Sequence, residues 1–239
     1  MRRFYDNQTF QLNAVVELSE NTSHHISRVL RMRPDDELIV FNGAGGEWHA
    51  TIESIGKRQV QIVPLHFIDI ERTPSCPVHL ALPLIKGERM DYALQKATEL
   101  GAASFQLLNT EHTDVRLAGE RLEKRMTHWQ QVVISACEQC GMNRVPEVHT
   151  PLNLSAYLQQ PHQGLKLIAH PGEQPLAATA LQSCSEIHLL SGPEGGFSGA
   201  ELSQASSSGF QPFALGQRIL RAETAASALL AAIWMARGE

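Results

Sequence analysis

Two segments near the C-terminal end hold residues whose types and spacing suit a ligand: Ser191-Gly192-Pro193-Glu194-Gly195-Gly196-Phe197-Ser198, and Leu215-Gly216-Gln217-Arg218-Ile219-Leu220-Arg221-Ala222-Glu223-Thr224-Ala225. Each follows an apolar run that reads as a strand and leads into a helical pattern. Glycines at such a junction let a ligand approach the main chain, and the helix start beyond supplies N–H groups with no partner inside the helix. A phosphate-cradling loop would need Lys and then Ser or Thr after its last glycine, whereas Gly196 is followed by Phe197 and Ser198. The dinucleotide fingerprint G-x-G-x-x-G on a first strand is also missing. The pair points to a different ligand, held at one site by two strand-to-helix turns.

The elements that must position these turns can be read from the pattern. Glu71-Arg72-Thr73-Pro74-Ser75-Cys76-Pro77 mixes charge with two prolines and reads as a linker between residues 1–72 and 73–239. Before it lie a helical stretch from Ser19 to Met32 and strand-like runs Glu37 to Phe41, Trp48 to Ile55 and Val60 to Pro64. Asn42 to Gly46 and Gly56 to Gln59 fall between the strands as hairpin turns, which makes a small β-barrel. After the linker, strands and helices alternate. Strands are expected at Val78 to Leu84, Ser104 to Leu108, Leu165 to Ala169, Ile187 to Leu190 and Pro212 to Leu215. Helices are expected at Glu88 to Leu100, Leu117 to Gln139, after Ser198 and from Ala222 to Ala236. In the first of these helices Met90, Ala93, Leu94 and Ala97 form an i, i+3, i+4, i+7 stripe, with Gly101 at the cap position. Such alternation predicts an α/β domain with a mostly parallel sheet, whose ligand sites lie beyond the carboxyl ends of the strands.

Composition sets outer bounds. The chain has 239 residues, is 43% hydrophobic and carries a formal charge of −5. No apolar stretch approaches the length of a membrane span, and the start Met-Arg-Arg-Phe-Tyr-Asp has no signal-peptide core, so a soluble cytoplasmic protein is expected. Cys137 and Cys140 have no second pair to complete a metal site, and reduced structural thiols are expected, with no metal. His24 and His25 point to different helix faces and lack a third ligand. The negative net charge argues against a nucleic-acid partner, but Arg2, Arg3, Arg28 and Arg31 make the N-terminal region locally basic.

Beside the two glycine segments stand Lys86-Gly87-Glu88-Arg89-Met90-Asp91 with Gln95 to Gly101, Glu138-Gln139-Cys140-Gly141-Met142-Asn143-Arg144-Val145-Pro146, and His24 to Arg31. In order and spacing, over nearly the whole chain, these resemble the ribosomal RNA small subunit methyltransferase E family, of the SPOUT class of S-adenosylmethionine-dependent RNA methyltransferases. The resemblance implies a PUA-like β-barrel at 1–72 and a knotted methyltransferase domain at 73–239. It also implies a homodimer and methyl transfer to N3 of a uridine in 16S ribosomal RNA, in an assembled small subunit. Under that reading S-adenosylmethionine is held by Leu190, Ser191, Gly192, Pro193, Glu194, Gly195, Gly196, Leu215, Gly216, Arg218, Ile219 and Leu220, chiefly through main-chain groups. Arg221 would stabilise the uracil anion, and Glu194 or Glu223 would accept the proton. Arg2, Arg3, Arg28, Arg31, Asn143 and Arg144 would contact RNA. A helix-start role for both glutamates competes with the catalytic one. Arginine, common in the family where Met142 stands, is absent here. A knotted methyltransferase acting on ribose or on transfer RNA, or a non-catalytic ribosome assembly factor, are the alternatives, because fold alone does not decide chemistry.

Overall fold

The computed structural model describes residues 1–173 and 178–239. The chain divides into two compact units. One is Met1–Thr73 with Cys137–Val145, the other Pro74–Ala136 with Pro146–Glu239. The first unit therefore takes in a short stretch from the middle of the chain as well as the N-terminal region.

In the first unit β1 (Arg2–Tyr5), β2 (Val16–Glu17), β3 (Glu37–Phe41), β4 (Glu47–Ile55) and β5 (Val60–Ile68) form one sheet in the order β1-β3-β4-β5-β2. β1 runs parallel to β3 and the remaining pairs are antiparallel. Alternation explains the core: Leu38 and Val40, Ala50 and Ile52, and Val60 and Ile62 turn to one face, where they meet Phe4, Phe10, Leu18 and Ile26. The expected helix from Ser19 to Met32 exists in two parts. Ser19 caps α1 (Glu20–His24) by accepting from the Thr22 N–H, and a π-helical turn follows over His25–Val29, where the Leu30 N–H donates to the His25 carbonyl. Arg31 then leaves the turn with φ of 51°.

A buried charge cluster holds Cys137–Val145 in this unit. Glu47 is 3% exposed and accepts hydrogen bonds from Arg3 and from Arg72 Nη1 (3.1 Å). Arg3 also donates to the carbonyls of Gly141 and Met142 and to Asn143 Oδ1, and it lies over the Phe41 ring. Asn143 donates in turn to the Ile70 carbonyl. Burial by itself would raise the Glu47 carboxyl, but the hydrogen bonds and charges of Arg3 and Arg72 outweigh it and hold the group below the usual carboxylate range.

The second unit contains a six-stranded sheet with every pair parallel, in the order β11-β9-β10-β6-β7-β8. The strands are β6 (Val78–Pro83), β7 (Ser104–Asn109), β8 (Glu147–Asn153), β9 (Leu165–Ala169), β10 (Ile187–Leu190) and β11 (Gln211–Phe213). The helices are α2 (Glu88–Glu99), α3 (Gly119–Cys140), α4 (Leu154–Leu158), α5 (Ala178–Ser183), α6 (Gly199–Ser207) and α7 (Ala222–Arg237). Central strands are buried on both faces: Ile187 to Leu190, with His188 the one polar member, and Leu80 to Leu82 are all buried, as a sheet covered on two sides requires. The α2 stripe Met90, Ala93, Leu94 and Ala97 is fully buried. α7 buries Ala226, Leu229, Leu230, Ile233 and Trp234 but leaves Met235 81% exposed, so it is not buried all round within the chain. Among the described residues no helix is long and apolar enough to cross a membrane.

Toward the amino ends of the strands, His188 on β10 lies in register with His79 on β6. Their rings stack at 5.0 Å, His162 approaches His188 at 4.6 Å, and Glu186 accepts from His188 at 2.9 Å. Burial, reinforced by His162 and His79 and only partly opposed by Glu186, pushes His188 down to about 4.

Two predictions follow from these clusters. Replacing Glu47 by Gln leaves Arg3 and Arg72 without a counter-charge and should cost about 3–5 kcal/mol in urea unfolding of the full chain; an unchanged midpoint would show the cluster to be energetically idle. His188 resists protonation in the folded chain but not in the unfolded one, so stability should fall as pH drops from about 6.5 towards 4. His188→Gln should flatten that part of the stability profile while leaving the part above pH 7 unmoved.

Candidate active site

β9, β10 and β11 are neighbours, and their parallel register brings Ala169, Leu190 and Phe213 to the same edge of the sheet. Two hydrogen bonds lock this edge: the Ser191 N–H donates to the Ala81 carbonyl at 2.9 Å, and the His170 N–H donates to the Phe213 carbonyl at 2.9 Å. Beyond it lies a cavity of about 320 Å³. Ser191, Gly192, Pro193, Glu194, Gly195 and Gly196 line it from β10, and Leu215, Gly216, Arg218, Ile219 and Leu220 line it from β11. The two glycine segments thus share one cavity, at the end of the strands where open α/β sheets bind ligands.

The wall has parts that sequence reasoning did not single out. Ala169, His170 and Pro171 come from the end of β9, Phe213 and Ala214 from β11, and Leu229 from α7, where Ala222 and Ala225 of the second segment also line it. The β9 turn could have been found from the same strand-end rule, because Leu165 to Ala169 already read as a strand. Apolar side chains with exposed main chain make a surface for a heterocycle and a polar chain. Glu194 and Arg218 bring one charge of each sign, which does not suit a polyphosphate.

The glycine geometry fits close packing against a ligand. Gly216 has φ of 76°, and a Cβ built there would meet nothing within 4 Å, so a side chain would project into open space with a strained backbone. The Gly192–Ser198 turn closes with the Gly196 N–H donating to the Pro193 carbonyl, and Ser198 then starts α6 with a capping box to Glu201.

The remaining expected site residues are placed as follows. Leu190 is fully buried inside β10 and does not line the cavity. Glu194 stands at the wall with its carboxylate 3.0 Å from Arg89 of α2, an exposed ion pair. Arg221 is the N-cap of α7, exposed, between the lining residues Leu220 and Ala222; its carbonyl accepts from the Thr224 and Ala225 N–H groups. Glu223 is 8% exposed in the first turn of α7, and its Oε2 has no hydrogen-bond partner among the described residues. It is not part of the cavity wall.

In the first unit Arg2 is exposed on the edge strand β1, and Arg28 and Arg31 are exposed in and just after the π-helical turn. Arg3 and Asn143 are instead consumed inside the fold: the Arg3 side chain is 11% exposed on Glu47, and Asn143 is fully buried. Arg144 is mostly exposed and pairs with Glu71 at 3.1 Å. Cys137 is buried, and burial, with Cys140 and Glu138 nearby, pushes its thiol far up, so it stays protonated.

Known proteins share this arrangement. A model of the RNA methyltransferase domain matches residues 71–234, and one of the RNA methyltransferase PUA domain matches residues 18–65. The ribosomal RNA small subunit methyltransferase E of Buchnera aphidicola is 31% identical across 99% of this chain and 97% of its own. That of Synechocystis is 34% identical across 93% of this chain and 73% of its own. A Legionella pneumophila protein described as a methyltransferase, solved with S-adenosylmethionine bound, superposes with a TM-score of 0.93 at 37% identity, covering 98% of this chain and 97% of that one. The ribosomal RNA small subunit methyltransferase E of Neisseria gonorrhoeae, also solved with S-adenosylmethionine, gives a TM-score of 0.91 at 34% identity over 98% and 97% of the two chains. With matching domains, full-length relatives and a cavity built from the two glycine segments, the chain belongs to the ribosomal RNA small subunit methyltransferase E family.

Proposed function

We propose that the protein transfers the methyl group of S-adenosylmethionine to N3 of a uridine in the 16S ribosomal RNA of the small subunit. The observation that carries this reading is the shared cavity, in which both glycine segments meet beyond three adjacent strand ends. Bound there, S-adenosylmethionine supplies a methyl carbon on a positively charged sulfur. Main-chain groups of Ser191 to Gly196 and of Leu215 to Leu220 would hold it, and at Gly216, where a Cβ would meet nothing within 4 Å, the backbone is open to it.

The chain's own residues then have to solve an exposure problem and a charge problem. N3 of uracil is protonated and used in base pairing, so the base must be taken out of its stack and aligned with the methyl carbon. As N3 loses its proton, negative charge spreads to the two flanking carbonyl oxygens. Arg221, a planar cation with no ion-pair partner among the described residues and a chain neighbour of the lining residues Leu220 and Ala222, though not a lining residue itself, would stabilise that charge. The pairing of Glu194 with Arg89 favours a role in shaping the Gly192–Ser198 turn, and the burial of Glu223 favours a role at the start of α7. For RNA contact, Arg2, Arg28, Arg31 and Arg144 remain the candidates, since the guanidinium of Arg3 and the amide of Asn143 are spent within the first unit.

The family reading extends to matters of assembly. A homodimer, a trefoil knot formed by the C-terminal segments, residence in the cytoplasm and action on the assembled subunit complete the proposal, together with division of the work between residues 1–72 and 73–239.

Incubation of the protein with labelled S-adenosylmethionine and unmethylated small subunits should yield 3-methyluridine; label on ribose or another base would overturn the reaction assigned here. Gly216→Val should weaken S-adenosylmethionine binding at least about tenfold by calorimetry, with the fold retained by circular dichroism. Arg221→Ala should lower kcat by about 10²-fold or more with donor affinity nearly unchanged, and a loss confined to donor affinity would remove it from the chemistry.

A further inference from the structure

Past the carboxyl end of β7, the chain makes a turn whose shoulders are fixed from several sides. Thr110 and Thr113 are 3% and 4% exposed, their hydroxyls lie 2.7 Å apart, and the Thr113 N–H donates to the Thr110 carbonyl. Between them the Glu111 N–H donates to Glu201 Oε1 of α6 at 2.9 Å. This leaves His112 exposed at the tip, pressed against the cavity's own wall: a Cβ on Gly195 would come within 3.0 Å of the His112 Cβ, and His112 Nδ1 sits 3.0 Å from the Gly196 carbonyl.

That last contact decides the tautomer. A carbonyl oxygen only accepts, so Nδ1 carries the hydrogen, and in the neutral ring Nε2 keeps its lone pair. A solvent-accessible imidazole therefore stands beside Gly195 and Gly196, which line the cavity, while His112 itself lies just outside the lining.

We infer that His112 is the proton acceptor for the methyl transfer proposed above, an inference that rests on that reading. Its Nε2 takes the hydrogen from uracil N3; the electron pair left on N3 forms the bond to the methyl carbon as the carbon–sulfur bond breaks and its pair stays on sulfur, leaving a neutral thioether. The proton on the exposed imidazolium then passes to water. The carboxylates are less suited. Glu194 is engaged in an ion pair with Arg89, while Glu223 is 8% exposed within the first turn of α7. The charged groups near His112 are Glu194 on the facing turn, paired with Arg89 of α2, Glu201 on α6, engaged with main-chain N–H groups, and Glu111 and Asp114 on its own loop.

The test uses His112→Asn, whose amide can still donate to the Gly196 carbonyl but cannot take a proton, together with His112→Ala. Expected for His112→Asn are a fall in kcat of about 10²-fold or more, an S-adenosylmethionine dissociation constant within about threefold of wild type by calorimetry, and loss of the low-pH limb that protonation of a histidine imposes on the rate. Added imidazole should restore part of the rate to His112→Ala. Wild-type kcat and pH profile in His112→Asn, or a loss of rate matched by loss of donor binding, would overturn the inference while 3-methyluridine formation by the wild type kept the reaction intact. If the wild type forms no 3-methyluridine, the reaction and this assignment fall together.

Discussion

Hydrogen-bonded parallel pairing of β9, β10 and β11 is the constraint on which the site depends. Because the three strands run the same way and in register, their carboxyl ends stop at one edge, and the turns that follow have to emerge side by side. Neither glycine segment could enclose a ligand alone. Brought together, one supplies the Gly192–Ser198 floor and the other the approach to α7, and the apolar ends of β9 and β11 close the remaining wall. The site is a product of strand order, and its side chains refine what the backbone has already arranged.

Much of this was legible because it repeats at short range. Alternation marked β3, β4 and β5, and continuous apolar runs marked β9 and β10, whose limits agree with expectation residue for residue in Leu165–Ala169 and Ile187–Leu190. The elements that escaped notice lacked such a signal. β8 contains Pro151 and few apolar residues and survives as a sheet edge, where a missing N–H costs little; β1 and β2 are short edge strands held by partners distant in sequence. The π-helical turn was hidden inside an ordinary helical pattern, since the shift from i+4 to i+5 bonding leaves no mark on composition.

The site residues divide in the same way. Glycine segments at predicted strand ends are local features, and they line the cavity. What a charged side chain touches is set by tertiary packing: Arg3 is held on Glu47 where its neighbour Arg2 is exposed, and Glu194 pairs with Arg89 of α2. The sequence neighbours of His112 form no motif; its position comes from its own contact with the Gly196 carbonyl and from the hydrogen bond of the preceding Glu111 N–H to Glu201. The net charge of −5 was the least useful number, because what counts for a polyanionic partner is which cations stay unspent at the surface.

The recruitment of Cys137–Val145 into the first unit has a consequence for the order in which the molecule can be completed. During synthesis, residues 1–73 leave the ribosome with Glu47, Arg3 and Arg72 in place but without the Gly141 and Met142 carbonyls and the Asn143 amide that finish the cluster. Those groups arrive only after β6, α2, β7 and most of α3 have been made. The core of the N-terminal sheet is supplied by residues 4–62, but its charge cluster is completed only by a segment encoded far downstream. Nascent-chain folding is thereby interleaved, and a cut between the two sequence halves at Thr73 would give a fragment missing its own closing piece.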